Sequence, residues 1–378
     1  MVRRMMVGRM TCRDRQSSKT YSTEREMDMT INVTHQEGMD EILNRYEHLL
    51  QTSREKIVLD LKKTPATAVL APYFEQGKML RALLVFVAAS AVGNEPRNMT
   101  MVAAAIELLH GASLIHDDIA DEADERRGLP ALHRQVGIGP AIVLGDYLIL
   151  RSFAVLRESE SAFESCNVLA ALHMLNDYAR ACCMGEIREL LPSDQSDPEE
   201  NYLAIVRGKT ASQFAAATTL PVIVSGGDVH AIEAMRIYGL HLGIAFQIHD
   251  DLLDFIGDAL VLRKPVGTSL AMGRSLLPLI YLERYGSRAG REAAQCLLRQ
   301  IVRNGHADRV WLLADMVRLL REERILDRVT ATRDTHVLLA LQALDRLNHS
   351  NDVNALKTIA VFATSHQPAL TLVGAAAQ

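Results

Sequence analysis

Proline is missing from long reaches of this chain: residues 97–129, 141–191, 222–264 and 279–367 contain none. The same reaches lack the apolar/polar alternation of a half-buried strand, which excludes an ordinary β architecture and leaves helices interrupted where prolines mark the joints. Long apolar runs are scarce too. The longest, Ala82 to Val92, is too short to cross a bilayer, so no transmembrane segment is expected. The five cysteines, Cys12, Cys166, Cys182, Cys183 and Cys296, are odd in number and lack zinc-type spacing, which reads as reduced thiols in a cytoplasmic protein. Positive charge is not in excess: 41 Lys and Arg stand against 46 Asp and Glu, a formal net charge of -5, which excludes a general nucleic-acid binder. The Gly-x-x-x-x-Gly-Lys phosphate loop is absent as well.

What is present is helical periodicity from about Met39 onward, as in Met39, Ile42, Leu43, Tyr46, Leu49 and Leu50. With 378 residues, 48% of them hydrophobic, the chain is long enough to bury a large core. No linker divides it, so the expectation is a single all-α bundle over residues 39–378. Gly226-Gly227-Asp228 and Pro192-Ser193-Asp194 read as loops between helices. Residues 1–38 form a separate, disordered extension, and the first 23 carry six basic residues against the single acid Asp14. That composition fits an organelle-targeting peptide, a start codon placed too early, or an extension without function.

The sequence Ile-His-Asp-Asp occurs twice, at 115–118 and 248–251, and each copy continues to a third aspartate, Asp121 and Asp254. On a helix, positions four apart share a face, so Asp117 lies above Asp121 and Asp250 above Asp254, with Asp118 and Asp251 flanking. Two carboxylates about 6 Å apart repel by about 3 kcal/mol at an effective dielectric near 20, so the clusters call for cations. All-oxygen clusters select hard ions, and Mg²⁺ shared with a substrate phosphate suits a few carboxylates with open positions. One such cluster is equally a solvated helix end. Two matched copies 133 positions apart place acidic walls on two different helices, with a polyanionic ligand between them. His116 and His249 point about 100° away from the neighbouring aspartate and read as packing or supporting residues.

Basic residues stand where a diphosphate would need them. Arg126 and Arg127 follow the first cluster, and Lys78, Arg81, Lys209 and Lys264 interrupt apolar stretches. Each alone reads equally well as a salt-bridged surface residue.

These residues carry a family resemblance. From about Met39 to His366 the chain resembles the trans-isoprenyl diphosphate synthases, or polyprenyl synthetases. The first family motif is matched by Asp117, Asp118, Asp121, Arg126, Arg127 and Gly128, the second by Phe246 to Phe255, and Gly145-Asp146-Tyr147, Gly185-Glu186, Lys209-Thr210, Lys264-Pro265 and Leu277-Pro278 recur between and after them. The resemblance implies an all-α isoprenoid-synthase bundle with a central cavity, usually a homodimer. It implies head-to-tail condensation of isopentenyl diphosphate with an allylic prenyl diphosphate. Mg²⁺ would sit on Asp117, Asp118, Asp121, Asp250, Asp251 and Asp254. By the same analogy Lys209, Thr210, Gln247, Lys264 and Arg126 would hold the allylic diphosphate, and Lys78, Arg81, His110 and Arg127 the isopentenyl diphosphate. The released diphosphate would take the final proton.

In the family pattern the growing chain runs down the helix beneath the first aspartates. Ala112 and Ser113 there are small, with Leu109 a turn lower, and this predicts an open pocket and a product of about twenty carbons or longer, close helix packing being the other reading of such small residues. Departures from the pattern are Gln76, Ala82, Ser269 and His366, the last two near the substrate site. A class I terpene cyclase would carry an Asn/Ser/Glu metal motif in place of Asp250, Asp251 and Asp254. A non-catalytic partner subunit would be expected to have lost aspartates.

Overall fold

The computed structural model describes residues 38–191, 197–257, 270, 274, 276–303, 306–348 and 350–365. The expected N-terminal extension, the Pro192 loop, Lys264, Ser269 and His366 lie outside the described residues. Helix α1 (38–61) starts where the periodicity predicts, and Met39, Ile42, Tyr46 and Leu50 all face inward. Two short helices follow, α2 (Pro65–Ala68) and α3 (Ala71–Glu75), the first capped by the Thr64 side chain. Then come α4 (Leu80–Ala91) and α5 (Thr100–Ala120), which pack together in the core.

Helix α4 begins at Met79, which holds a left-handed φ of 52° and supplies no side-chain cap. The deficit is met from outside: Glu107 of α5, 6% exposed, accepts a hydrogen bond from the Ala82 amide at 2.9 Å. A buried carboxylate thus completes a helix start that the local sequence leaves open. After α5 the described sheet structure is one antiparallel hairpin, β1 (Glu125–Arg126) and β2 (Leu129–Pro130). Its turn residues, Arg127 (φ 56°) and Gly128 (φ 77°), are both left-handed, the arrangement that a tight two-residue hairpin demands.

Next are α6 (Leu132–Val136), α7 (Ile138–Arg157) and α8 (Ser165–Leu190). Helix α9 (Pro198–Val206), capped by Asp197, runs into a π-helical turn (Arg207–Ala211) and then α10 (Ser212–Val224). All thirteen residues of α10 are buried, which makes it the central helix of the bundle. Pro221 lies inside it, although prolines were expected at the joints. The apolar burial of the whole helix outweighs the roughly 3 kcal/mol that an internal proline costs. The Gly226-Gly227 loop is where expected, and Asp228 caps α11 (Val229–Ile256). Helices α12 (Leu277–Tyr285), α13 (Arg288–Arg303), α14 (His306–Glu322), α15 (Ile325–Leu344) and α16 (Asn351–Ser365) complete the described fold.

One core joins α1, α4, α5, α10, α11 and α16 around Leu83, Phe86, Leu108, Phe214 and Tyr238. A second, formed by Tyr202, Ile248, Leu252, Leu277 and Val329, packs the far side of α11. Residues 96–120 and 138–161 are long and apolar enough to span a bilayer by length and composition. The first is mostly buried within the bundle and carries both Glu107 and the first aspartates. The second, α7 with the turn that follows it, leaves Ile138, Val143 and Leu150 exposed at 59%, 65% and 71%.

Candidate active site

The two aspartate motifs occupy the C-terminal ends of α5 and α11, and the π turn lies between them. From that turn Lys209 reaches back to Asp117, 3.6 Å from Oδ1, while the Thr210 hydroxyl donates to Gln247 Oε1 at 2.9 Å on α11. Adjacent residues of one irregular turn therefore touch both acidic helices. The close approach depends on two glycines. A Cβ on Gly208 would lie 2.6 Å from the Ala181 carbonyl of α8, and one on Gly185 would lie 2.6 Å from the Lys209 amide. Only bare backbone lets α8 come near enough for Glu186 and Glu189 to join Lys209.

The six aspartates divide into two groups. Asp118 is 3% exposed and is gripped by Arg126, whose Nε lies 2.9 and 3.1 Å from the two carboxylate oxygens. Asp251, also 3% exposed, accepts from the Tyr202 hydroxyl (2.7 Å), Gln247 Nε2 (3.1 Å) and the Leu277 amide (3.3 Å). Asp254 is buried and accepts from the Leu270 amide at 3.2 Å. These carboxylates have their oxygens directed at protein donors. Asp117, Asp121 and Asp250 remain partly open. Asp121 pairs with Arg274, a residue beyond the second motif, so an ion pair also ties that segment to the first motif.

Burial pushes the Asp117 carboxyl up to about 7; Lys209 opposes the rise, and Glu186 and Asp121 add to it. Lys209 is charged in spite of burial, because Asp117, Glu186 and Glu189 together hold its ammonium above the ordinary lysine range. Asp251 is likewise raised to about 7 by burial, with its Tyr202, Gln247 and Leu277 bonds holding it down. One lysine thus faces three carboxylates, an acidic excess made only of oxygen donors. That donor set fits a hard divalent cation better than a soft one. Among the described residues no three His, Cys, Asp or Glu side chains converge closely enough to hold a metal ion by themselves. An ion that keeps most of its ligands for water and phosphate needs only one or two protein carboxylates.

Beside the acidic walls lies a crevice of about 460 Å³, open mouth included, lined by Tyr73, Gly77, Glu107, His110, Arg126 and Arg127, among others. Its cations face few free acids, since Glu107 caps α4 and Asp118 holds Arg126. Arg127 donates to the Tyr73 carbonyl at 2.8 Å, and Arg54 donates to the Gly77 carbonyl at 3.0 Å. The Arg81 guanidinium lies 5.0 Å over the Phe214 ring, and its desolvation, opposed by Glu107, lowers its pKa to about 10. His110 is held well below the ordinary histidine range by burial and by Arg81, Arg127 and Arg126, so it stands neutral. Lys78, on the same turn as Gly77, is exposed.

Of the chain-length residues, Leu109 is buried, Ala112 has no exposed surface, and Ser113, partly buried, accepts from Gln213 Nε2 at 3.2 Å. His116 sits against the Ile142 carbonyl (3.3 Å) and Asp146 (3.5 Å), and His249 against Arg333 (3.5 Å), the packing positions expected of them. Sequence reasoning missed Arg54, Glu107, Glu189, Tyr202, Gln213 and Arg274. Only Tyr202, seven residues and two turns before Lys209, had a local signal, since positions seven apart share a helical face.

Comparison with known proteins agrees with this geometry. The polyprenyl synthetase family profile matches residues 64–313. The chain is 35% identical to the short chain isoprenyl diphosphate synthase of Methanothermobacter thermautotrophicus over 331 residues, covering 86% of this chain and 98% of that protein. It is 30% identical to the octaprenyl diphosphate synthase of Haemophilus influenzae, covering 85% and 95%. The crystal structure of a polyprenyl synthase from Caulobacter crescentus CB15, complexed with calcium and isoprenyl diphosphate, superposes with a TM-score of 0.76 at 28% identity, covering 87% of this chain and 98% of that one.

Proposed function

The chain belongs to the polyprenyl synthetase family, and we propose that it condenses isopentenyl diphosphate with an allylic prenyl diphosphate, head to tail, releasing diphosphate. The observation that carries this reading is the π turn, which joins Asp117 and Gln247 to one site through Lys209 and Thr210. Asp117, Asp121 and Asp250 would hold Mg²⁺, which would draw charge from the departing diphosphate. Lys209 adds a fixed positive charge on the same side. Thr210 has given its hydrogen to Gln247, so it turns only lone pairs toward any other partner. Such a hydroxyl suits a developing allylic cation better than a phosphate oxygen. In the neighbouring crevice Arg127 and neutral His110 would bind the second diphosphate without a metal, with Arg81 and Lys78, near in sequence to the crevice residues Gly77 and Met79, as further cations.

We take the product to be all-trans and about twenty carbons or longer, because Ala112 and Ser113 place no bulky ring below Asp117. Purified full-length protein with isopentenyl diphosphate, an allylic primer and Mg²⁺ should give longer linear prenyl alcohols on chromatography after dephosphorylation. Recovered, unlengthened primer would point to a non-catalytic subunit, and a cyclic hydrocarbon to a cyclase.

The proposal extends to a homodimer. Helix α7 leaves Ile138, Ile142, Val143 and Leu150 uncovered, a row that a second copy would bury. Sedimentation should give twice the chain mass for the wild type and the single chain mass for a Val143→Asp/Leu150→Asp double variant. A monomeric wild type at micromolar concentration, or an unaltered variant, would refute the interface.

A further inference from the structure

Tyr202 has no surface to offer a substrate. It is 3% exposed, its ring packs with Val206, Ile244 and Ile248 in the second core, and nothing in the family match singles it out. Its hydroxyl nevertheless starts a hydrogen-bonded row that ends in the site. Tyr202 donates to Asp251 Oδ2 (2.7 Å), Gln247 Nε2 donates to Asp251 Oδ1 (3.1 Å), and Thr210 donates to Gln247 Oε1 (2.9 Å).

Each hydrogen in this row has one place to go. Ionised, Asp251 only accepts, so the tyrosine must then donate to one oxygen and the glutamine amide must turn its NH₂ to the other. That leaves Gln247 Oε1 facing Thr210, and the threonine must then donate. The direction of the Thr210 hydroxyl is therefore set two residues away, by what holds Asp251. The other donor on Asp251 Oδ2 is the Leu277 amide, at a longer 3.3 Å. Neighbouring Asp250 is partly exposed, whereas Asp251 is buried.

We propose that Tyr202 is a positioning residue for the allylic half of the site, acting through Asp251 and Gln247 on the Thr210 hydroxyl. The proposal rests on the prenyltransferase reading above and adds to it a residue and a direction. Without the tyrosine hydroxyl, Asp251 keeps its bond to Gln247 but loses the donor that sets the carboxylate plane. The amide is then free to tilt, and Thr210 can rotate its hydrogen toward the cavity, where a lone pair is needed. Lys209 and Arg127, which bind the diphosphates in the reading above, keep their own partners, so binding of either diphosphate changes little.

The test is a double-mutant cycle on the full-length protein with isopentenyl diphosphate, an allylic primer and Mg²⁺. Tyr202→Phe keeps the ring and removes only the hydroxyl, and should lower kcat about ten-fold, the size of one buried hydrogen bond, while the KM of each substrate stays within about two-fold. In a Gln247→Leu background, where the row is already cut, the same substitution should change kcat by less than about two-fold. A ring that served stability alone would lower kcat by equal factors in both backgrounds, and that result overturns the proposal. So would a wild-type kcat in Y202F. Should Y202F melt below the assay temperature, all four proteins of the cycle are assayed at a temperature below its melting point, and equal factors there overturn it equally. An inactive wild type, in contrast, sinks the prenyltransferase reading itself, so the two failures are distinguishable.

Discussion

Asp117→Asn should reduce elongation at least about 10³-fold and, in the absence of metal at pH 8, raise the melting temperature by several degrees. The two effects share one cause. Asp117 is held among Glu186, Asp121 and Lys209 with its pKa raised from 3.8 to about 7. A folded-state pKa above the unfolded value means that the folded protein binds the proton more tightly. Stability therefore falls as pH rises from about 4 to 7, and the full penalty, up to roughly 4 kcal/mol, is present above that. Asparagine carries no charge to be penalised, and Lys209 keeps Glu186 and Glu189 as partners. The gain should be clear by scanning fluorimetry at pH 8 and about a quarter as large at pH 4.5. Mg²⁺ at a hundred times its dissociation constant should stabilise the wild type by about 2.7 kcal/mol and the variant far less. A variant that melts lower than the wild type at pH 8 would mean that Asp117 is a structural acid and no cation site.

The arrangement of the acids was legible because helical geometry is local. Positions 117 and 121 must share a face whatever surrounds them, and the same holds for 250 and 254. What each carboxylate meets is a tertiary matter, and there the reading ran out. The left-handed Arg127-Gly128 turn folds Arg126 back onto Asp118. Asp251 accepts from Tyr202, 49 positions away. Neither partner leaves a periodic trace in the chain. Glu107 is buried in an apolar helix, and its reason is a helix start 25 residues earlier that lacks a cap. Pro221 misled for the opposite reason: proline chemistry is local, but the burial that overrides it comes from the helices around α10. The fold class rested on summed local preferences and the identity of the motif on spacing, whereas charge pairing across the site required coordinates.

Lys209→Ala should also lose at least about 10²-fold in kcat, but with the opposite effect on stability. Its ammonium stands against Asp117, Glu186 and Glu189, each about a quarter exposed or less. Removing the cation leaves three carboxylates facing one another, at a cost of roughly 3 kcal/mol. The metal-free variant should therefore melt several degrees below the wild type at pH 8. Lys209 holds the Asp117 pKa down, so its loss moves that pKa further above 7, and the protonated cluster no longer repels itself. The deficit should accordingly shrink as pH falls toward 5. Lys209→Arg separates charge from shape. A guanidinium restores the neutralisation and most of the melting temperature, but it spreads the charge over a fork where the Gly185–Gly208 approach admits a narrow stem. Its kcat should stay at least about ten-fold low. If K209R recovers rate and stability together, the site needs only positive charge near Asp117. If K209A melts no lower than the wild type, the three carboxylates were never held in check by this lysine, and the convergence of the two acidic helices on the π turn loses its electrostatic basis.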